Sequence, residues 1–372
     1  MIRIGSVRGV ALRAHWSVPL LMLLFAYLLG GRLLPDYAPG RSAAGYAVAG
    51  VAGALLLLGS LVVHEAAHAL AARRAGVQVR DITLWALGGA TRMEQPATAK
   101  AAFAVAGVGP LASLVAGGVL LGGATGLEAA LDWRLLVALM GWLGGLNLLL
   151  GVFNLLPAPP LDGGRVLHAA LWWRTGDRDA ARRTAGRTGQ YVGTIMVAAG
   201  WLVLLHGVPG GLWLGFAGVF VAITSTRERR RAELSAALRG VRVAEAMAAP
   251  VATGPDWLTV GRFVAEVAGR EGHSVLPLVD FEGRPSGVVR LRRLAGVPAG
   301  RQEDLRVRDV ATPLSKCTLA GGDELLDRVL DRLAAGTGLP ILVMDGGRLD
   351  GIVTAEDIGR IVQRRALRRP GR

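Results

Sequence analysis

One cysteine, Cys317, stands in 372 residues. That excludes an intramolecular disulfide and any zinc site built from several thiolates. Charge is scarce as well. Only 19% of residues are Asp, Glu, Lys or Arg, against about 25% in an ordinary globular protein. With 52% hydrophobic residues, the chain is not of the charge-rich, apolar-poor kind that stays disordered. Lysine is nearly missing: Lys100 and Lys316 stand alone, and arginine carries the formal net charge of +14. The shortage reads as codon bias without mechanistic weight. On a soluble protein such a charge would point to nucleic acid. Beside long apolar runs it marks the cytoplasmic ends of membrane spans. The apolar residues concentrate before Thr226 and the charges after it. This split argues against a single water-soluble domain, and the length suits two or three domains.

A spanning helix needs about 20 mostly apolar residues. Six segments qualify as candidates: 16–34, 46–72, 101–124, 135–156, 192–206 and 212–226. Arg3, Arg8 and Arg13 precede the first. No small-residue cleavage site follows, so that segment reads as a retained anchor and not a signal peptide. Arginines cluster before the first span, after the second (Arg73, Arg74), between the fourth and fifth (Arg165 to Arg187), and after the sixth (Arg227 to Arg231). The alternate loops carry only Arg32, Arg41 and Arg134. The excess of positive charge on cytoplasmic loops therefore predicts a polytopic α-helical membrane protein of six spans with both termini in the cytoplasm. Residues 77–92 are too short to cross, alternate weakly and contain Gly88-Gly89. They read as a hairpin or re-entrant segment, which must be buried in protein or face a watery cavity.

Two polar motifs interrupt the apolar pattern. His64-Glu65-Ala66-Ala67-His68 closes the second span. Helical positions four apart differ by roughly 40° about the axis, so both imidazoles share a face. That suits two nitrogen ligands on one Zn²⁺, with Glu65 beside them as a proton acceptor. Three ionisable groups at the end of a span are costly unless they serve a function. A catalytic zinc takes three protein ligands and keeps one open position. Asp162 is the candidate third, in Asn154-Leu155-Leu156-Pro157 followed by Asp162-Gly163-Gly164 at the end of the fourth span. The second span ends on the same side, so the two motifs meet at one depth. By itself Asp162 would read as a turn residue; its pairing with the His-Glu motif makes it a ligand candidate.

The joint pattern resembles the site-2 proteases, intramembrane zinc metalloproteases that pair His-Glu-x-x-His with a later Asn-x-x-Pro…Asp-Gly. The resemblance implies His64, His68 and Asp162 as zinc ligands, Glu65 as general base, and Asn154 as a group orienting the scissile peptide. It implies one zinc per chain and a bacterial plasma-membrane location. The implied substrate is a single-span membrane protein cut within its span in regulated intramembrane proteolysis, an anti-sigma factor being one such class; nucleic acid is not an expected partner. Gly88-Gly89 resembles that family's substrate-clamping strand. Gly109-Pro110 with Ser113 resembles its third-span signature, from which Val108 departs modestly. Asn147 reads as polar glue between spans, and His168 as a residue behind the ligands or simply on a helix surface.

After Arg231 the chain turns globular and repeats itself. Val243-Ala-Glu-Ala-Met247 returns as Val307-Arg-Asp-Val-Ala311, and Gly287-Val-Val returns as Gly351-Ile-Val. Such an internal period marks a duplicated unit. It resembles a cystathionine-β-synthase-type (CBS) pair, a cytoplasmic α/β module that often binds adenine nucleotides and forms homodimers. Gly351-Ile-Val-Thr354-Ala-Glu-Asp357 matches the family's ribose-contacting pattern, whereas Arg290 and Arg293 hold the equivalent places in the first repeat. One nucleotide site, at Thr354 and Asp357, is implied. The same two residues also suit a helix N-terminus, through a hydroxyl cap and a dipole-matched carboxylate. The expected division is a protease domain over 1–226, a linker over 227–240, repeats over 241–300 and 301–363, and a basic tail over 364–372. A CBS-gated cation transporter or channel is the rival reading. Glu65 discriminates, because transport needs ligands while hydrolysis needs a base.

Overall fold

The computed structural model describes residues 1–85, 88–130, 133–268, 274–333 and 340–367. Leu339 of the second repeat, His273 and the last five residues of the basic tail lie outside the described residues. The chain divides into two compact units, Met1–Ala232 and Glu233–Arg372.

The first unit opens with strands β1 (Ile2–Val7) and β2 (Val10–Ala14). They turn at Arg8-Gly9, whose φ angles of 46° and 86° are the positive pair that a tight hairpin turn requires. Strands β3 (Val79–Trp85) and β4 (Gly88–Met93) form the hairpin expected over 77–92. It is only half of the sheet, however. β2 runs parallel to β3, with Ala11 opposite Asp81, and the order is β1-β2-β3-β4. Arg3, Arg8 and Arg13 had masked the alternation of the first hairpin. Val10, Leu12 and Ala14 turn inward and pack with Ile82, Leu84 and Ala69.

Helices α1 (Ser17–Tyr37), α2 (Ala43–Arg74), α3 (Ala99–Ala130), α4 (Arg134–Asn154), α5 (Asp162–Thr175), α6 (Arg178–Leu205) and α7 (Gly210–Leu238) follow. Among the described residues five of these, α1, α2, α3, α4 and α6, are long and apolar enough to cross a membrane. The sixth candidate, 212–226, lies within α7, which continues into the arginine-rich stretch and is not one of the five. The fifth is longer than expected. It starts at Arg178, where the Asp177 side chain caps it by accepting from the Asp179 and Ala180 amides. Arg178, Arg182, Arg183 and Arg187 therefore ride on a helix and not in a loop. Buried Ala181, Ala185 and Gly189 recur every fourth residue and supply its packing stripe. α6 and α7 touch through glycines: a Cβ at Gly193 would fall 2.7 Å from the Gly218 carbonyl oxygen, the close approach that small residues allow between spans.

The second unit carries the repeat. The first copy runs α8 (Val243–Ala246), β5 (Gly254–Pro255), β6 (Val275–Val279), β7 (Pro285–Arg290), α9 (Leu291–Ala295). The second runs α10 (Val307–Val310), β8 (Thr312–Pro313), β9 (Thr318–Ala320), β10 (Ile341–Asp345), β11 (Arg348–Val353), α11 (Ala355–Leu367). Each copy joins a parallel pair, β5/β6 or β9/β10, to an antiparallel hairpin, β6/β7 or β10/β11. The leading turns are exchanged. Val243 and Ala246 lie in the core with Ile341 and Val353, while Val307 lies with Leu276 and Val289. The Val307 amide accordingly donates to Leu258 and the Val243 amide to Glu324.

Candidate metal centre

α2 begins at Ser42, whose hydroxyl accepts from the Gly45 amide, and runs without interruption to Arg74. Its last turns bring His64 and His68 to one face, their rings edge-on with centroids 5.0 Å apart. Asp162 arrives from nearly a hundred residues away, as the first residue of α5. The turn that delivers it depends on the two glycines that follow. A Cβ at Gly163 would strike the Leu155 and Leu156 carbonyls, and one at Gly164 the backbone at Ala158 and Pro159. The Ser225 hydroxyl of α7 donates to the Pro159 carbonyl at 2.6 Å and ties the loop down.

The three side chains converge. His64 Nε2 and His68 Nε2 lie 3.1 and 3.0 Å from Asp162 Oδ2, and 3.3 Å from each other. All are buried. The remaining imidazole nitrogens point outward to partners: His64 Nδ1 lies 2.9 Å from Ser113 Oγ, and His68 Nδ1 lies 2.6 Å from the Val105 carbonyl. A carbonyl only accepts, so Nδ1 of His68 carries a proton, and Nε2 is the nitrogen that faces Asp162 and His64. Val105 and Ser113 flank Pro110, which has no N–H and interrupts the α3 ladder. A Cβ at Gly109 would overlap the His68 ring. The third-span signature thus has a physical content: room for one imidazole and a partner for each.

Glu65 is buried beside the cluster and faces β4. Thr91 Oγ1 lies 2.7 Å from Glu65 Oε2, a contact that no motif had announced. Asn154, expected near the scissile peptide, donates at 3.0 Å to the Leu150 carbonyl of its own helix. Asn147 does bridge spans, donating to Ser60 Oγ on α2 at 3.1 Å. His168 stacks on Trp172 and bonds the Arg178 carbonyl, away from the ligands.

In the second unit Thr354 and Asp357 sit at the start of α11. The Thr354 amide and hydroxyl donate to Asp357 Oδ2 at 2.8 and 2.6 Å, and Arg360 pairs with the other oxygen. Asp357 is buried and serves the helix start, while Thr354 lines a cavity of about 280 Å³ with Ser274, Arg290, Arg292 and Glu356.

Long apolar helices around two histidines and an aspartate, with a glutamate alongside, define a metalloprotease of the membrane-embedded class. The sequence model of peptidase family M50 matches residues 52–129 and 125–200. A Mycobacterium tuberculosis protein named as the zinc metalloprotease Rip3 is 38% identical over 99% of this chain and 94% of its own length. The chain belongs to peptidase family M50, the site-2 protease family. A solved site-2 protease from Methanocaldococcus jannaschii is 27% identical over 62% of this chain and 95% of that one, with a TM-score of 0.41. The second unit is similar to the CBS domain of a bacterial CNNM/CorC family Mg²⁺ transporter solved in complex with ATP. The match is 18% identical, with a TM-score of 0.32, and covers 36% of this chain and 97% of that one.

Proposed function

We propose that the protein is an intramembrane zinc endopeptidase that cuts a single-span membrane protein within or near its span, and that its C-terminal repeat pair regulates it. The observation that carries this reading is the convergence of two imidazole Nε2 atoms and a carboxylate oxygen within 3.3 Å, beside a buried glutamate. Two nitrogens and one oxygen converging from three buried side chains form a donor set that suits Zn²⁺. His64, His68 and Asp162 would hold it. When bound, zinc supplies Lewis acidity toward water and the scissile carbonyl.

The chain's own residues do the rest. Glu65 accepts the proton of the attacking water and returns it to the leaving amine, as microscopic economy of one base requires. β4 is an edge strand of its sheet. Its unpaired backbone can receive an unwound substrate segment as an added strand, next to Glu65. Unwinding is needed because a helical peptide bond is shielded and already hydrogen-bonded. Six spans with both termini in the cytoplasm of a bacterial plasma membrane complete the reading, with a protease domain over 1–226 and the repeats over 241–363. Anti-sigma factors are a suitable substrate class.

Co-expression with tagged single-span candidates tests this: the wild-type chain yields a shortened product, and His64→Ala leaves the substrate intact. Equal cleavage by both would end the reading.

The cavity at Thr354 suits an adenine nucleotide, with Arg290 and Arg292 toward phosphate and the threonine hydroxyl toward ribose. Asp357 and the Thr354 hydroxyl bond each other at the helix start, and of the two only Thr354 lines the cavity, so the threonine is the one placed to meet the ribose. Thermal melting of the full chain in millimolar ATP, ADP or AMP is expected to show a rise with at least one of them. Thr354→Val is expected to abolish it. No shift with any would leave the pair a structural or dimerising module.

A further inference from the structure

Strand β4 grips Glu65 at two points. Residues two apart on a strand share a face, and Gly89 and Thr91 both face this carboxylate. Thr91 Oγ1 lies 2.7 Å from Oε2 and 3.2 Å from the Glu65 backbone oxygen. Both of those only accept, so the hydroxyl is the donor. At Gly89 a Cβ would lie 2.6 Å from Glu65 Cδ and from Oε1. One carboxylate oxygen is therefore tied, and the other has room only because residue 89 lacks a side chain.

We propose that Thr91 is a positioning residue for catalysis: its hydroxyl holds Oε2 so that Oε1 is the oxygen that meets water. The inference rests on the reading of Glu65 as the general base. In the step it serves, a water proton passes to Oε1, the water oxygen bonds to the scissile carbonyl carbon, and the proton then goes to the departing nitrogen as the C–N bond breaks. A carboxylate free to rotate would offer either oxygen at any angle, and misplacement by an ångström costs up to about 100-fold in rate.

The strand is fixed for this task from its other face. Arg92, the next residue, pairs at 3.0 Å with buried Asp81 on β3. Asp81 also accepts from Thr83 Oγ1 at 3.1 Å. The register sets Asp81 opposite Arg92 and Ile82 opposite Thr91. Threonine suits the post because a β-branched side chain is stiff at χ1 and native to strands. Nothing in the His-Glu motif signals it, since the contact joins residues 26 apart.

Five forms of the full-length chain in detergent test the proposal: wild type, Thr91→Val, Thr91→Ser, Glu65→Gln and the Glu65→Gln/Thr91→Val double variant. Zinc per chain, kcat and KM on fluorescein-labelled β-casein, and the affinity of leucine hydroxamate are measured for each. The hydroxamate reads the site without turnover, since it donates to the glutamate while it chelates. Thr91→Val is expected to keep zinc and KM, lose kcat by about 10- to 100-fold, and bind hydroxamate more weakly. Thr91→Ser, which restores the donor, recovers both. In the Glu65→Gln background the Thr91 change adds nothing. Wild-type kcat and hydroxamate affinity in Thr91→Val, with Glu65→Gln inactive, overturn the role of Thr91 and leave the base standing. Zinc loss in Thr91→Val, or a Thr91→Ser variant no better than Thr91→Val, overturns it in favour of simple packing. A fully active Glu65→Gln overturns the base itself.

Discussion

Glu65→Gln protein is expected to keep about one zinc per chain and to cleave about 10²–10⁴-fold more slowly than wild type. The reason is the division of labour in the cluster. The converging atoms are His64 Nε2, His68 Nε2 and Asp162 Oδ2, whereas the Glu65 carboxylate meets Thr91. Glutamine fills the same volume and can still meet the Thr91 hydroxyl through its carbonyl oxygen. It cannot take a proton from water. Metal analysis beside a single-turnover cleavage assay separates the two effects. Proteolysis within a few-fold of wild type would remove Glu65 as the base, and metal flux by that variant would then favour a transporter.

The second large effect is expected at Asp162. Its Oδ2 reaches both imidazoles, while Oδ1 faces Arg165 Nη1 at 3.7 Å. Asp162→Ala removes the only anion in direct contact with the two ring nitrogens among the described residues. Two neutral imidazoles then hold a divalent cation without charge neutralisation or a third donor, and catalytic zinc sites are built on three. Zinc content after gel filtration in a metal-free buffer is expected to fall well below one per chain, with activity lost in parallel. Gly109→Ala is a useful companion, since its added methyl group would overlap the His68 ring, nearest of all at the Nε2 donor itself, while leaving all three candidate ligands in the sequence. Full zinc retention in Asp162→Ala would exclude the carboxylate as third ligand.

How much of this was legible in the residues follows from the kind of signal each carries. His64, Glu65 and His68 announce themselves because ionisable groups at helical spacing in an apolar run have few other uses. Asp162 needed its partner motif, because an aspartate before two glycines is an ordinary turn. Thr91 was illegible, since a threonine in a strand carries no chemical mark and its partner is set by how β4 crosses α2. The first hairpin was hidden by arginines that also suit the mouth of a span. The start of α6 was hidden because arginines spaced among alanines read as a loop when only hydropathy is followed. Asn154 is a case where the motif speaks of a substrate and the structure of a helix: its amide donates to the carbonyl one turn back, which leaves its Oδ1 for another partner.

The span of 98 residues between His64 and Asp162 also bears on how the molecule comes into being. On the proposed ligand set, a nascent chain that has threaded α1 and α2 into the bilayer carries His64, Glu65 and His68 but lacks the carboxylate of Asp162. That set is complete only when α3 and α4 have been made and α5 brings Asp162 to the histidines. The loop ahead of α5 is anchored later still, when Ser225 of α7 arrives. On that reading competence is a property of the finished bundle, and a chain interrupted anywhere before residue 162 is expected to lack zinc-dependent cleavage.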